Sequence, residues 1–271
     1  MADTKNLGGT FDTVVSNYDK MRPGYVPELF NAIFDYVSIG EDSRVVEVGS
    51  GSGQATAPVL KTGCELIAAE YGENFSKFLM EKFKDYPKFS VKTGKFEEID
   101  FPSDSFDLIF SATAFHWVPE EIGYKKVFDM LKPGGAFARF ANRPQNCKNE
   151  PELGAEIQEL YNEYYNAQNN IKSGTKKWFT EDDAKAISLI PEKYGFTDIK
   201  LHLFYRERVF SASEYTQLLG TYSDHIAIEE SIRNVFFAKI EDAINRHGGK
   251  ITISDMMDLE LARKAGQALI I

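Results

Sequence analysis

The run Val45-Val46-Glu47-Val48-Gly49-Ser50-Gly51-Ser52-Gly53-Gln54 concentrates the residue types from which a ligand cradle is made. An apolar, strand-like stretch leads into three glycines at alternate positions. Glycine lets the backbone turn tightly and approach a ligand with no Cβ in the way. A bare strand-to-helix turn needs fewer glycines than this. Spacing narrows the ligand. The dinucleotide fingerprint G-x-G-x-x-G requires glycine at position 54 or 56, where the chain has Gln54 and Thr56. What stands instead is acid-x-G-x-G-x-G. A carboxylate at Glu47 repels a pyrophosphate but suits a ligand that presents an ammonium group. Nineteen residues after Gly51, Glu70 closes the next strand-like run, where an acid can accept hydrogen bonds from both hydroxyls of a ribose. Such charge-assisted bonds are worth roughly 1.5–3 kcal/mol each.

Further candidates lie downstream. Ser111 and Ala112 leave a fourth strand-like run at its carboxyl end, the edge at which open α/β sheets bind ligands. His116 and Trp117 follow within one turn. A histidine here either orients a substrate and takes a proton or is a hydrogen-bonded structural residue, and the tryptophan is either pocket wall or core. His116 is therefore the candidate catalytic residue, and His116, Trp117 and Arg143 are candidates for the substrate pocket.

These side chains need a scaffold, and the hydrophobic rhythm supplies one. Arg44–Val48, 66–70, 89–92, 106–110 and 136–140 read as short strands. Helical faces alternate with them: Leu29, Phe30, Ile33, Phe34 and Val37; Phe75, Phe78, Leu79 and Phe83; Ile122, Val127, Phe128 and Leu131. Strands and helices at this rhythm imply right-handed crossovers and a parallel sheet covered on both faces. Lys132-Pro133-Gly134-Gly135 is a helix stop. Further on, 146–191 is helical and tyrosine-rich. A strand follows over 198–209, then helices over 213–221 and 228–246, the latter with Ile232, Val235, Phe236, Ile240 and Ile244 on one stripe. Gly248-Gly249 turns the chain into a last extended segment, 250–261. With no Pro/Gly/Ser-rich linker, the inserted helices are expected to cap the core rather than form a separate domain.

Composition removes whole classes. The 271 residues are 43% hydrophobic and 27% charged, an ordinary globular balance. A net charge of −10 disfavours nucleic-acid binding, which needs a basic surface. Neither a span of roughly 20 apolar residues nor a signal-peptide core is apparent, so no membrane partner and a cytoplasmic location are expected. Cys64 and Cys147, outside any CxxC pair, read as small buried hydrophobes, with no metal site.

Taken together, the Glu47–Gly53 motif, Glu70, the Phe106-Asp107-Leu108-Ile109-Phe110-Ser111 strand and Leu131-Lys132-Pro133-Gly134-Gly135 resemble the ordered motifs of class I S-adenosylmethionine-dependent methyltransferases. Tyr18-Asp19-Lys20-Met21-Arg22-Pro23 and Ala114-Phe115-His116-Trp117-Val118 are similar to a subgroup around trans-aconitate methyltransferase and the type 11 methyltransferases. The likeness spans about residues 14 to 142. It implies a Rossmann-like α/β fold, a seven-stranded, mostly parallel sheet with its last strand antiparallel. Three segments follow: 1–144 as cofactor-binding core, 145–196 as helical cap, and 197–271 as closing strands with a second insertion over 211–247.

It also implies S-adenosylmethionine as cofactor. Gly49, Gly51 and Gly53 would approach its methionyl and ribose parts, Glu47 its amino group, and Glu70 the ribose. Arg22 would clamp its carboxylate, with Tyr18 in the same segment, and Tyr71 would pack on the adenosine. Ser111 and Ala112 complete the set. Relatives often place an acid beside a small residue after the third strand, whereas this chain has Gly94-Lys95-Phe96-Glu97. Adenine recognition then falls to backbone groups and the Phe96 ring, near Lys95. The implied reaction is methyl transfer to a small molecule, with a carboxylate oxygen as leading acceptor. Arg139, Arg143, Arg206 and Arg208 are the candidate cations, since an anionic substrate in so acidic a chain needs a locally positive pocket. The alternatives are carbon or nitrogen methylation of a quinone-like or amine metabolite with His116 as base, and a nucleotide-binding module without catalysis.

Overall fold

The computed structural model describes Asp19, Arg22 and residues 24–167 and 177–266; Tyr18 lies outside them. Seven strands are present: β1 Arg44–Val48, β2 Glu65–Glu70, β3 Phe89–Thr93, β4 Phe106–Ala112, β5 Leu131–Asn146, β6 Phe196–Ser211 and β7 Lys250–Lys264. They form one sheet in the order β3-β2-β1-β4-β5-β7-β6. The pairs β1 with β2, β2 with β3, β1 with β4 and β4 with β5 are parallel, and the last strands run antiparallel.

The helices are α1 Pro27–Tyr36, α2 Thr56–Leu60, α3 Glu73–Lys82, α4 Glu120–Met130, α5 Pro151–Leu160, α6 Glu181–Ser188, α7 Ala212–Leu219, α8 Ser223–Ile226 and α9 Glu230–Arg246. Alternate residues of the central strands enter opposite layers, as the strand period requires. Val45, Leu66, Leu108 and Phe110 join a core with Leu29, Ile33, Val59 and Leu79. Val46, Ile67, Ile109 and Phe137 join another with Tyr124, Val127 and Met130. The sheet is thus apolar on both faces and covered by α1, α2 and α3 on one and α4 on the other.

The described residues fall into two compact units. One draws on Pro23–Asn142, Phe179–Phe204 and Met257–Ile271, the other on Met1–Arg22, Arg143–Trp178 and Tyr205–Met256. The second has its own apolar cluster, in which Leu153 and Ile157 of α5 meet Tyr215 and Leu218 of α7 and Phe236, Ile240 and Ile244 of α9.

Two of the expected apolar faces are rotated. Ile122 is exposed, and α4 buries Gly123, Tyr124, Val127 and Met130 instead. Tyrosine can face a core because most of its surface is apolar, so here Tyr124 outranks isoleucine at position 122. Val235 is likewise exposed, since the inward stripe of α9 runs through Phe236, Ile240 and Ile244. Strand β5 begins at Leu131, five residues before the expected start, because Leu131 already pairs with Phe106 before the register shifts. Cys64 and Cys147 are free and buried, and burial pushes the Cys147 thiol up to about 12. Among the described residues no helix is long and apolar enough to cross a membrane, and no group of histidine, cysteine or acidic residues could hold a metal ion.

Candidate functional site

From β1 the chain proceeds outward through β2 to β3, then returns to β4 on the other side of β1. The carboxyl ends of β1 and β4 therefore flank a topological switch point, where backbone crossovers diverge and leave a crevice. The turn after β1 carries the three glycines, and the turn after β4 carries residues 113–117.

Gly49, Gly51 and Gly53 all adopt left-handed φ values, 74°, 54° and 88°, which a side chain would disfavour by roughly 1–2 kcal/mol each. Two of them also make room for protein. A Cβ on Gly49 would lie 2.4 Å from the Ala114 methyl, and one on Gly53 would lie 2.6 Å from the Phe83 ring. The loop is pinned at both ends, by the Gly49 amide donating to the Ala69 carbonyl at 2.9 Å and by Lys82 Nζ donating to the Ser52 carbonyl at 2.8 Å.

Behind this loop Glu47 is fully buried. Its Oε2 accepts a hydrogen bond from Thr56 Oγ1 at 2.5 Å, while its Oε1 is buried with no hydrogen-bond partner among the described residues. Burial lifts the carboxyl to about 7, against the opposing influence of the Thr56 and nearby Ser50 hydroxyls and with a smaller contribution from the Glu70 charge. A buried carboxylate oxygen left unpaired is costly, and a cationic ligand group would offset that cost. Glu70, 6% exposed, sits across the loop. Its Oε2 accepts from the Gly51 amide at 2.8 Å and its Oε1 from the Gly72 amide at 2.9 Å. Both carboxylate oxygens therefore hold backbone amides of the adjoining turns.

The other sequence candidates distribute unevenly. Ser111 is buried, and its hydroxyl donates to the Val48 carbonyl at 2.8 Å, tying β4 to the end of β1; Ala112 beside it is half-buried. Tyr71 is 51% exposed. Lys95 is exposed and pairs with Glu98, whereas the Phe96 ring is buried against Phe101. His116 and Trp117 are exposed on a single 3-10 turn, Phe115–Trp117, with ring centroids 4.9 Å apart.

Three candidate cations hold internal carboxylates. Arg139 lies 3.9 Å from Glu260 and donates to the Tyr124 hydroxyl at 3.3 Å. Arg206 and Arg208 converge on the buried Asp255, Arg208 with both carboxylate oxygens. Arg143 is half-buried in β5. In the second unit, Arg22 stacks over the Tyr222 ring at 4.1 Å and donates to the Thr221 carbonyl.

Sequence reasoning does not reach Thr56, although its place nine residues after Glu47, at the start of α2, offers a signal. Nor does it reach Thr113 and Tyr25, whose hydroxyls lie 2.7 Å apart; nothing in their residue types marks them.

Residues 46–138 match a family model described as a methyltransferase domain. An uncharacterized methyltransferase of Schizosaccharomyces pombe is 28% identical over 227 residues, which cover 83% of each chain. Among solved structures, a putative type II methyltransferase from Anaeromyxobacter dehalogenans gives a TM-score of 0.63 at 17% identity, covering 91% of this chain and 99% of that one. Phosphoethanolamine N-methyltransferase 2 of Haemonchus contortus, in complex with S-adenosyl-L-methionine, gives 0.55 at 14% identity, covering 94% of this chain and 57% of that one. At such identities the structural likeness speaks for the fold, while the family model and the S. pombe relative speak for the reaction. The matched residues run from β1 into β5 and so contain the glycine loop and both switch-point strands. Sequence and fold thus single out the same segment: residues 46–138 form a methyltransferase domain, and the matches support S-adenosylmethionine-dependent methyl transfer.

Proposed function

We propose that the chain transfers the methyl group of S-adenosylmethionine to a small-molecule acceptor, with a carboxylate oxygen as the leading acceptor. The observation that carries the reading is the orphaned, buried Oε1 of Glu47 behind the glycine loop, which suits the cofactor's amino group directly or through one water. Glu70 would hold the ribose hydroxyls while keeping its bonds to Gly51 and Gly72. The loop amides and the neighbourhood of Tyr71, Lys95 and Ala112 would line the remainder. Phe96 would contribute through its backbone, its ring being packed in the core.

The cofactor supplies an electrophilic methyl carbon on a sulfonium. The chain's own work is to hold the acceptor in line with that carbon and exclude water. Such orientation can lower the barrier by roughly 7–11 kcal/mol. A carboxylate acceptor is already ionised near neutral pH and asks for no base, only for a cation to fix it. The candidate cations for that role are Arg139, Arg143, Arg206 and Arg208. A second reading, nitrogen or carbon methylation, is favoured by the exposure of His116 beside the switch point, where a histidine can take the acceptor's proton.

The test is transfer from methyl-labelled S-adenosylmethionine to small carboxylic acids, amines and quinols, followed by base. Methyl esters release labelled methanol, whereas N- and C-methyl products retain the label. Label found only in base-stable products would remove the carboxylate reading. No transfer and no cofactor binding would remove both.

A further inference from the structure

Thr113, the residue immediately after β4, takes φ 55°. For a β-branched residue this left-handed conformation is a true outlier, and such strain persists only where the surroundings over-determine it. Three contacts do so here. The Thr113 amide donates to the Phe140 carbonyl at 2.8 Å, and its Oγ1 accepts from the Asn142 amide at 3.2 Å. The same Oγ1 lies 2.7 Å from the Tyr25 hydroxyl. The Tyr25 ring is fixed in turn, edge-on to Phe140 with centroids 4.8 Å apart. The segment before α1, the end of β4 and the strand β5 therefore converge on one hydroxyl.

Core packing does not ask for this, since Thr113 is exposed. Its position does. The next residue, Ala114, fills the space that a Cβ on Gly49 would take, and His116 and Trp117 follow on the 3-10 turn. The turn held by Thr113 is the wall against which the first glycine of the loop rests.

We propose that the Tyr25–Thr113 hydroxyl pair is a positioning latch for methyl transfer: it clamps residues 113–114 against Gly49, presetting the glycine loop for the cofactor. Tyr25 and Thr113 are positioning residues, acting through the loop. The inference rests on the cofactor reading given above.

The test compares binding of S-adenosylhomocysteine, the demethylated cofactor, to the parent chain and to Tyr25→Phe, Thr113→Val and Thr113→Ser, with the melting temperature of each unliganded protein. Loss of the hydroxyl pair in Tyr25→Phe or Thr113→Val should weaken binding about tenfold and move the melting temperature by less than about 4 °C, the shift of a small stability change. Thr113→Ser keeps the hydroxyl and should bind like the parent. The double variant Tyr25→Phe/Thr113→Val should be no weaker than the worse single, because the Tyr25–Thr113 bond is already lost in each, Thr113→Val also removing the acceptor of the Asn142 amide. Parent-like affinity in both hydroxyl-deleted variants, additive losses, or losses that track a falling melting temperature would overturn the latch. If the parent itself binds no S-adenosylhomocysteine, the cofactor reading fails and the latch with it. If the parent binds and the variants match it, the latch alone fails.

Discussion

Glu70 accepts a hydrogen bond from the Gly51 amide at 2.8 Å, so the end of β2 fixes the middle of the glycine loop. The other carboxylate oxygen is engaged by Gly72, at the start of the following helix. Glu70 thus shapes the loop. Glu70→Ala should weaken S-adenosylhomocysteine binding at least tenfold, the loss of even one charge-assisted hydrogen bond at the low end of the range. It should also lower the unliganded melting temperature, because two backbone amides lose their acceptor. Calorimetric titration and thermal melts read the two effects separately.

With the cofactor's amino group at Glu47, as proposed, binding should depend on pH. Its folded value, about 7, lies above the ordinary carboxyl value of 4.5. Between these values the folded chain keeps a proton that the unfolded chain has lost, so its contribution to stability is greatest below 4.5 and is lost as pH rises through 7. An ammonium beside Glu47 favours the ionised form and expels that proton. Affinity for S-adenosylhomocysteine should therefore fall by up to about tenfold per pH unit below 7 and level off above it. Titrations in two buffers of different ionisation enthalpy measure the proton release, and Glu47→Gln should abolish both slope and release.

Gly49 is constrained by sterics. Gly49→Ala places a methyl 2.4 Å from that of Ala114, at φ 74°, and should cost about 2–4 kcal/mol from overpacking and backbone strain together. Adding Ala114→Gly removes the clash and should recover all but the backbone part, about 1–2 kcal/mol. Urea unfolding midpoints decide this. A double variant no more stable than Gly49→Ala would show that the contact is not the constraint.

His116 separates the two acceptor readings. For a carboxylate acceptor, His116→Ala should change kcat by less than about threefold and, at saturating S-adenosylmethionine, leave a flat pH–kcat profile over pH 6 to 8. For an amine or carbon acceptor it should cost about 100-fold or more and remove the acidic limb of the profile.

Much of the sheet is legible in the sequence, because a strand buried on both faces must be an apolar run. Arg44–Val48, Glu65–Glu70 and Phe89–Thr93 are each readable to within a residue. Element ends are less legible: Pro133 and Gly134 announce a helix stop, yet β5 already begins at Leu131. The glycine loop is legible because three alternate glycines behind an acid are rarely accidental. The partners that hold it are not. Thr56, Ala114, Thr113 and Tyr25 are ordinary residue types, and their roles arise from contacts between elements distant in sequence. The arginines mislead for a related reason: charge is visible in a sequence, but the carboxylates that occupy Arg206 and Arg208 lie 49 and 47 residues away at Asp255.

The most direct measurement is calorimetric titration of S-adenosylhomocysteine into the full chain at pH 8, where Glu47 is ionised, alongside Glu70→Ala. One-to-one saturable binding by the parent, weakened at least tenfold in the variant, is the predicted result. No saturable heat with the parent chain, or equal affinity in the two proteins, would contradict the placement of the cofactor on this loop.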